Sequence, residues 1–454
     1  MPVMPERVDV AVVGAGPAGM AAAMRASALG LHVVVIDESP EAGGQYYRQR
    51  AVGRGEGAPL SYQERAGAAV IARLQNAVEL RLSTSVWNIE GTRLSLEKGG
   101  STSVVDAGAV VLATGAYDRP VAFPGWTKVG VVTAGGAQAL TKGQRVMPGR
   151  RALVVGSGPL LLPVAVSLAK AGTQVLGVAE GLRRADLVRV GRSVAVRWRR
   201  WPEVTRYLVE LARYRIPVLS GVVVERALGE EKVEGAVLRK QRSGQELHFE
   251  VDVLCVGYGF SVATELAQLG GCEMVWETTL RQFVPVVDAM QQSTTAGLFL
   301  AGEVCGLGGV RAAELEGDMA GLGAAMYLHG ANSVMMRRAA RETGARLRNE
   351  RQFARRLLAP FVNSLDVLPR LKDDTIVCRC ENVPYSAVTS AIGRGARSLN
   401  ELKTSTRCGM GWCQGRVCGV VLRDLLRRCD GVGFDSASSF TVRPPVRPIP
   451  ARAL

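Results

Sequence analysis

Residues 8–20 read Val-Asp-Val-Ala-Val-Val-Gly-Ala-Gly-Pro-Ala-Gly-Met, a β-branched run that breaks straight into Gly14-x-Gly16-x-x-Gly19. The run Val8–Val13 has the composition of a buried parallel strand. An Ala/Met-rich helix to Leu29 follows, then a second strand, His32–Ile36, ending at Asp37. Each part has a job. Gly14 allows the tight turn, Gly16 admits a pyrophosphate to the backbone, and Gly19 lets helix and strand pack closely. Asp37 is placed to accept hydrogen bonds from a ribose. Pro17, Ala18 and Glu38 sit among these positions and join the candidate cofactor-contacting set. A lone glycine motif is weak, but a complete strand–turn–helix–strand–acid unit predicts a dinucleotide. The unit alone does not separate FAD from NAD.

Three later features favour FAD by their similarity to glutathione-reductase-like flavoproteins. Gly43-Gly44-Gln45, with Arg48 shortly after, follows Asp37 at the spacing that class uses near the flavin. The strand Val110–Leu112 leads to a similar turn, Ala113-Thr114-Gly115. The stretch Gly297-Leu-Phe-Leu-Ala301-Gly302-Glu303 resembles the second FAD motif, in which an acid takes a ribitol hydroxyl. That class usually has Asp there; Glu303 does the same with one more methylene.

A second unit begins at strand Ala152–Val155 and runs through Gly156-x-Gly158-x-x-Leu161 and a helix to strand Gln174–Ala179 and Glu180. In glutathione-reductase-like proteins this inserted domain binds NAD(P)H. Leu161 stands where Gly or Ala normally permits close packing. It is expected to push the helix out or fill part of the phosphate site. NAD(P), a non-redox adenine nucleotide (ATP or ADP) and a protein-filled site are the alternatives.

Near the other end Cys378-x-Cys380 is followed, after 27 residues, by Cys408-x4-Cys413. Four thiolates converging on one point suit iron–sulfur or zinc. Two residues apart on a helix would point about 200° apart, so Cys378 and Cys380 must lie on a loop. Cys413 precedes the apolar pattern Val417, Val420, Val421, Leu425, which reads as a helix start. Two short helices are expected at 385–392 and 399–406, the second with a Ser398/Glu401 capping box. Zinc knuckles usually use Cys-x2–4-Cys pairs and often His, so [2Fe–2S] is the favoured reading. Cys418 is a nearby spare thiol. Cys255, Cys272 and Cys305 are isolated and read as buried apolar residues.

The net charge of +15 could suggest nucleic acid. Yet the arginines are spread out, apart from Arg197, Arg199, Arg200 and Arg206 near Trp198 and Trp201, and no recognition motif accompanies them. A solvated basic face or an acidic protein partner is expected instead. No apolar run reaches the roughly 18–20 residues of a membrane span. The start Met-Pro-Val-Met-Pro-Glu lacks a signal-peptide pattern. Nine cysteines, an odd number gathered mostly between Cys378 and Cys429, argue against a secreted disulfide framework. A cytoplasmic protein is expected, with membrane association through a complex left open. His32, His248 and His329 read as structural, and no base for oxidising an amine or alcohol can be assembled from spacing.

The expected fold class is α/β: two Rossmann-like dinucleotide-binding domains plus a small helical four-cysteine [2Fe–2S] domain. The expected boundaries are 1–120 with 285–345 for the discontinuous FAD domain and 121–284 for the inserted nucleotide domain. A helical linker over 346–372, drawn from the basic pattern at 333–358, leads to the cysteine domain at 373–430. A Pro/Arg-rich tail at 431–454 reads as a frayed end or a strap over a neighbour.

The stretches Gly43-Gly-Gln-Tyr-Tyr-Arg48, Gly156-Ser-Gly-Pro-Leu-Leu-Leu162, Arg311-Ala-Ala-Glu-Leu-Glu-Gly317 and Thr406-Arg-Cys-Gly-Met-Gly-Trp-Cys-Gln-Gly-Arg416 carry a further resemblance. They are similar to the large flavoprotein subunit of dye-linked dehydrogenases. That group includes the corresponding flavoprotein subunits of opine oxidase and hydrogen cyanide synthase and the alpha subunits of proline and hydroxyproline dehydrogenases. The C-terminal part resembles the [2Fe–2S] domain of bacterioferritin-associated ferredoxin, with Cys378, Cys380, Cys408 and Cys413 matching its ligands. The resemblance implies an amine-oxidase-like FAD beta subunit as partner, often with a small [2Fe–2S] gamma subunit. This chain would then relay electrons towards a quinone or an electron-transfer protein while a partner attacks the substrate. The alternative is a self-sufficient NAD(P)H-dependent reductase feeding the cluster or a ferredoxin-like partner.

Overall fold

A computed structural model describes residues 6–51, 62–195, 201–330, 333–362, 371–428 and 439–453. Arg197, Trp198, Arg199, Arg200 and Cys429 lie outside these residues, as does the tail up to residue 438. The chain divides into two compact units. One comprises Met1–Tyr117, Ser261–Arg355 and Val442–Leu454; the other comprises Asp118–Phe260 and Arg356–Thr441.

The first unit is built on strand Glu6–Val13, helix Pro17–Ala28 and strand Val33–Ile36. The strands are parallel, with Val10 opposite Val33 and Val13 opposite Ile36. All four residues of Val33–Ile36 are buried. Both faces of this sheet are covered, so the strand is an unbroken apolar run and not an alternating one. Across the described residues the strand order is Glu79–Arg81, Val33–Ile36, Glu6–Val13, Ser101–Leu112, Arg93–Lys98, Ser85–Glu90. Leu298–Leu300 pairs beside Leu112 and so brings the second FAD-like motif to the end of the first.

Helix Val310–His329 lies against helix Pro17–Ala28 almost backbone to backbone. A Cβ on Gly317 would sit 2.0 Å from the Ala18 carbonyl oxygen, and one on Gly321 would sit 2.3 Å from that of Ala22. Small residues one turn apart are therefore what the contact requires. The tail joins this unit: Val446 is buried and its N–H donates to the Trp87 carbonyl at 3.0 Å.

The second unit repeats the pattern with strand Arg151–Gly156, helix Leu161–Lys170 and strand Gln174–Glu180. Its parallel sheet runs Val218–Ser220, Gln174–Glu180, Arg151–Gly156, Val253–Gly257, Val131–Thr133. An antiparallel sheet of Val222–Leu228, Gly235–Lys240 and Glu246–Phe249 accompanies it. Residues of the cysteine segment share its core: Val377, Val388, Leu402, Cys418 and Leu422 cluster with Leu153, Val155, Val224 and Leu254. The Trp126 indole donates to the Ile376 carbonyl at 2.5 Å, and Arg119, only 4% exposed, faces Asp424 at 3.5 Å. The chain thus forms two Rossmann-like α/β layers with a small helical C-terminal segment.

Among the described residues no helix is long and apolar enough to cross a membrane.

Candidate functional site

In the first unit, glycines converge on the first turn of helix Pro17–Ala28. Gly14, at φ +107°, turns beneath the Ala113 carbonyl: a Cβ there would be 2.3 Å from that oxygen. A Cβ on Gly19 would be 1.8 Å from the Gly14 oxygen, so strand end and helix touch through backbone alone. Gly44 lies over Gly16, where an added Cβ would meet Gly16 Cα at 2.8 Å, and Gly43 N–H donates to the Ala15 carbonyl at 2.9 Å. Gly302 closes on Ala18, where a Cβ would meet Ala18 Cβ at 2.7 Å. The helix N-cap is Gly16, with no side-chain cap. Its leading N–H groups and positive dipole end therefore face a cradle walled by backbone, the surroundings a phosphate takes.

Asp37 stands at the rim. Its carboxylate accepts from Ala15 N–H at 2.6 Å and Ser39 N–H at 2.7 Å. Glu38 points elsewhere and pairs with Arg447 at 3.1 Å. Thr114 donates to the Ala263 carbonyl at 2.7 Å, fixing the turn before Gly115. Arg48 donates to the Gln45 side-chain oxygen. Gln45 and Arg48 thus meet each other on the segment that follows Gly44.

Glu303 lies beside a buried network that the sequence does not announce. Glu316, on helix Val310–His329, accepts from Gly302 N–H at 2.9 Å and from Arg351 Nε at 2.7 Å. Arg351 reaches on to the Gln291 oxygen at 2.8 Å, and Gln291 donates to the Leu300 carbonyl at 2.9 Å. Burial, and then the nearby Glu316 charge, push the Glu303 carboxyl up to about 6. Burial also raises the Glu316 carboxyl, against the pull of Arg351.

The second unit departs from the first at its turn. Helix Leu161–Lys170 begins five residues after Gly156, whereas helix Pro17–Ala28 begins three after Gly14. The intervening residues form a turn in place of a first helical turn. Leu161 is fully buried beside Gly257, where a Cβ would sit 3.0 Å from the Leu161 Cδ2 atom. The helix thus starts late, and the side chain has gone into the core instead of standing in the loop. Glu180 is turned into the loop: it accepts from Ser157 Oγ at 2.7 Å, Gly158 N–H at 3.1 Å and Leu182 N–H at 2.9 Å. Burial raises its carboxyl despite those three donors.

The cysteines come from two loops of the second unit. Cys378 ends strand Ile376–Cys378, which pairs with Val383–Pro384, and Cys380 sits in the connecting turn. The expected short helices are present at Tyr385–Gly393 and Leu399–Thr406. Ser398 caps the second, accepting from Glu401 N–H at 3.2 Å. Cys408 and Cys413 lie in the glycine-rich loop after it. That loop presses on the first: a Cβ on Gly411 would be 2.3 Å from Cys380 Cβ.

The last helix is Cys418–Leu426 with Val417 as its N-cap, as the apolar pattern predicts; Cys413 precedes it and Cys418 stands at its first turn. Gly415 sits at φ +86° between them, a left-handed conformation that no helix carries. Cys418 also joins the thiol group. Hydrogen bonds from the Cys408 and Cys418 thiols hold Cys378 down at about 2. The contact with Cys378 pushes Cys408 up to about 11 and Cys418 well above the thiol range. Cys380 interacts with Cys413. Among the described residues no three His, Cys, Asp or Glu side chains already stand in metal-holding geometry. The donors nevertheless fit an iron–sulfur core in kind, and their number suffices: five soft thiols, three of them buried, lie on or beside two loops, and four are needed.

Comparison with known proteins agrees with both halves of this geometry. Residues 8–342 match the pyridine nucleotide-disulphide oxidoreductase model, and residues 376–428 match the BFD-like [2Fe–2S] binding domain. The chain belongs to the pyridine nucleotide-disulphide oxidoreductase family. Within it, the chain is 34% identical to the A subunit of opine oxidase from Rhizobium meliloti, over 98% of this chain and 86% of that protein. It is 30% identical to hydrogen cyanide synthase subunit HcnB of Pseudomonas protegens, over 97% and 96% respectively. The crystal structure of L-proline dehydrogenase from P. horikoshii matches at a TM-score of 0.71 with 22% identity, over 99% of this chain and 80% of that one. The protein is an FAD-dependent oxidoreductase with a [2Fe–2S]-binding domain.

The sequence did not point to Glu316, Arg351 or Gln291. They meet from separate helices and a loop, and only the pairing of Glu316 with a buried position on its helix could have hinted at a partner.

Proposed function

We propose that the chain is the electron-relaying subunit of a hetero-oligomeric dye-linked dehydrogenase that oxidises an amino acid, imino acid or opine. One observation carries the reading: an FAD-type cradle and a thiol-only loop pair occur in one chain whose similarity to the opine oxidase A subunit runs over nearly its full length. An amine-oxidase-like FAD subunit would take hydride from the substrate, and a small [2Fe–2S] subunit would complete the complex. The acceptor would be a quinone or an electron-transfer protein. The working place would be the cytoplasm, with any membrane contact made through partners.

In this reading Gly14, Gly16, Pro17, Ala18 and Gly19 take the FAD pyrophosphate, and Asp37 with Glu38 takes the adenosine ribose. Gly43, Gly44, Gln45, Arg48 and Ala113–Gly115 approach the flavin side, and Gly302 with Glu303 holds the ribitol. Bound there, FAD supplies two-electron acceptance and one-electron release. The protein holds the carriers and tunes them through burial and hydrogen bonds. Cys378, Cys380 and Cys413 hold the iron pair, and one of Cys408 and Cys418 completes the set. Substituting each of those two by Ser decides which: only one loss should abolish the cluster's visible absorbance. Gly156, Gly158 and Glu180 do not serve hydride transfer from NAD(P)H, because Glu180 already takes the Gly158 N–H that would face a pyrophosphate.

The test is purification of the native complex and assay with octopine, nopaline, proline, hydroxyproline and glycine, using an artificial dye as acceptor. One of the five should drive turnover in the complex and none in the isolated chain. Brisk turnover by the isolated chain, or rapid flavin bleaching by NAD(P)H, would overturn the relay reading.

A further inference from the structure

The loop between Cys408 and Cys413 carries two side chains that the relay reading leaves without a role. Trp412 is 83% exposed and Met410 is 44% exposed. An indole held in water is unusual unless something covers it, and Trp and Arg dominate the energetic centres of interfaces. The loop cannot fold Trp412 away. Gly411 is pressed on Cys380, as described, while Gly409 and Gly415 rest on the Phe440 ring, where added Cβ atoms would meet it at 2.7 and 2.3 Å. The N–H of Gln414 donates back to the Gly411 carbonyl at 2.8 Å, closing the turn. Trp412 is therefore displayed on a braced loop, directly before Cys413 and on the loop packed against Cys380, an exposed cysteine.

Charge defines what fits. Arg379 lies exposed between Cys378 and Cys380, and Arg407 is 69% exposed beside Cys408, in contact with Glu381 at 2.9 Å. Residues 376–428 hold nine Lys and Arg against three Asp and Glu. A second copy would bring the same excess and repel. We propose that Trp412 and Met410, rimmed by Arg379 and Arg407, form the docking face for a small acidic one-electron redox protein, at the edge where the cluster's cysteines reach the surface. The inference rests on the relay reading and adds the face through which the cluster exchanges an electron with an outside carrier, in either direction. One electron crosses the face, lost by one centre and gained by the other, with no bond made or broken.

The test uses the full chain loaded with its cluster and, as probe, reduced plant-type [2Fe–2S] ferredoxin, an acidic one-electron donor. Stopped-flow visible circular dichroism follows the chain's own cluster. Trp412→Ala should slow reduction by ferredoxin about tenfold, and a double Arg379→Glu, Arg407→Glu variant should do the same and flatten its salt dependence. Reduction of each variant by dithionite, a small reagent that needs no docking, should match the parent. Unchanged ferredoxin rates would overturn the proposal, as would a variant slowed equally towards dithionite. Self-association of the parent that Trp412→Ala abolishes would assign the face to a second copy and overturn it too. Failure of the relay reading looks different: the native complex would not reduce the cluster with any amino acid, while the ferredoxin arm stayed intact. Were no cluster loaded, calorimetric titration of ferredoxin into the same variants would decide the face, with equal affinities overturning it.

Discussion

The two βαβ units share a plan and differ at a few atoms. In the first, the third motif position is Gly19 and helix Pro17–Ala28 starts at once, presenting uncapped N–H groups to an open cradle. In the second, Leu161 fills that position, the helix starts later, and Glu180 turns inward to bind Gly158 N–H. Asp37 binds its loop too, but through Ala15 N–H, leaving Gly16 uncommitted. The same strands and helix are therefore kept while the acid's hydrogen bonds and the size of the third residue change the turn between them.

Exchanging features between the units tests this. The largest effect should come from Gly19→Leu, because even a Cβ would lie 1.8 Å from the Gly14 oxygen. Loss of bound flavin, read as absorbance of the purified protein, should be complete; retention would break the comparison. Leu161→Ala should destabilise by about 2–5 kcal/mol as a buried cavity forms, measured by urea unfolding, without producing flavin bleaching by NADH. Bleaching in that variant would show that Leu161 alone had closed the site.

Glu303→Gln should remove a pH dependence from the first unit. A carboxyl raised to about 6 favours the fold most below its unfolded pKa of about 4.5, and that contribution is lost as pH rises to about 6. In flavin-free protein the parent should lose about 1 kcal/mol relative to the variant between pH 4.5 and 6, and about 2 kcal/mol over the whole titration, read from unfolding midpoints. Parallel curves would refute it. The smallest effect should follow Ser157→Ala, which gives the second loop the residue the first has at Ala15. Loss of the 2.7 Å bond to Glu180 should destabilise by about 1 kcal/mol in the same assay.

Much of this was legible in the residues. The strand–glycine–helix–acid order, the two short helices and the Ser398 cap are local signals, and local propensity agreed with the tertiary result. The oddity of Leu161 could be read, though not its resolution, since whether a helix slips or a side chain burrows depends on what lies opposite, here Gly257. The start of the last helix was legible too: the apolar pattern opening at Val417 meets the observed N-cap, while Gly415, at φ +86°, keeps Cys413 outside the helix. The contact of Cys418 with Cys378 and the Glu316–Arg351 pair join residues 40 and 35 positions apart, so only packing reveals them.

Phe440 is wedged beneath Gly409, Gly415 and Gly419, with Lys403 over its ring at 5.8 Å. Bulk in that nook can only be traded. Among related chains, a side chain appearing at position 409 or 415 should arrive together with a slimmer one at 440. A fragment ending before residue 439 should leave the thiol loop without its floor.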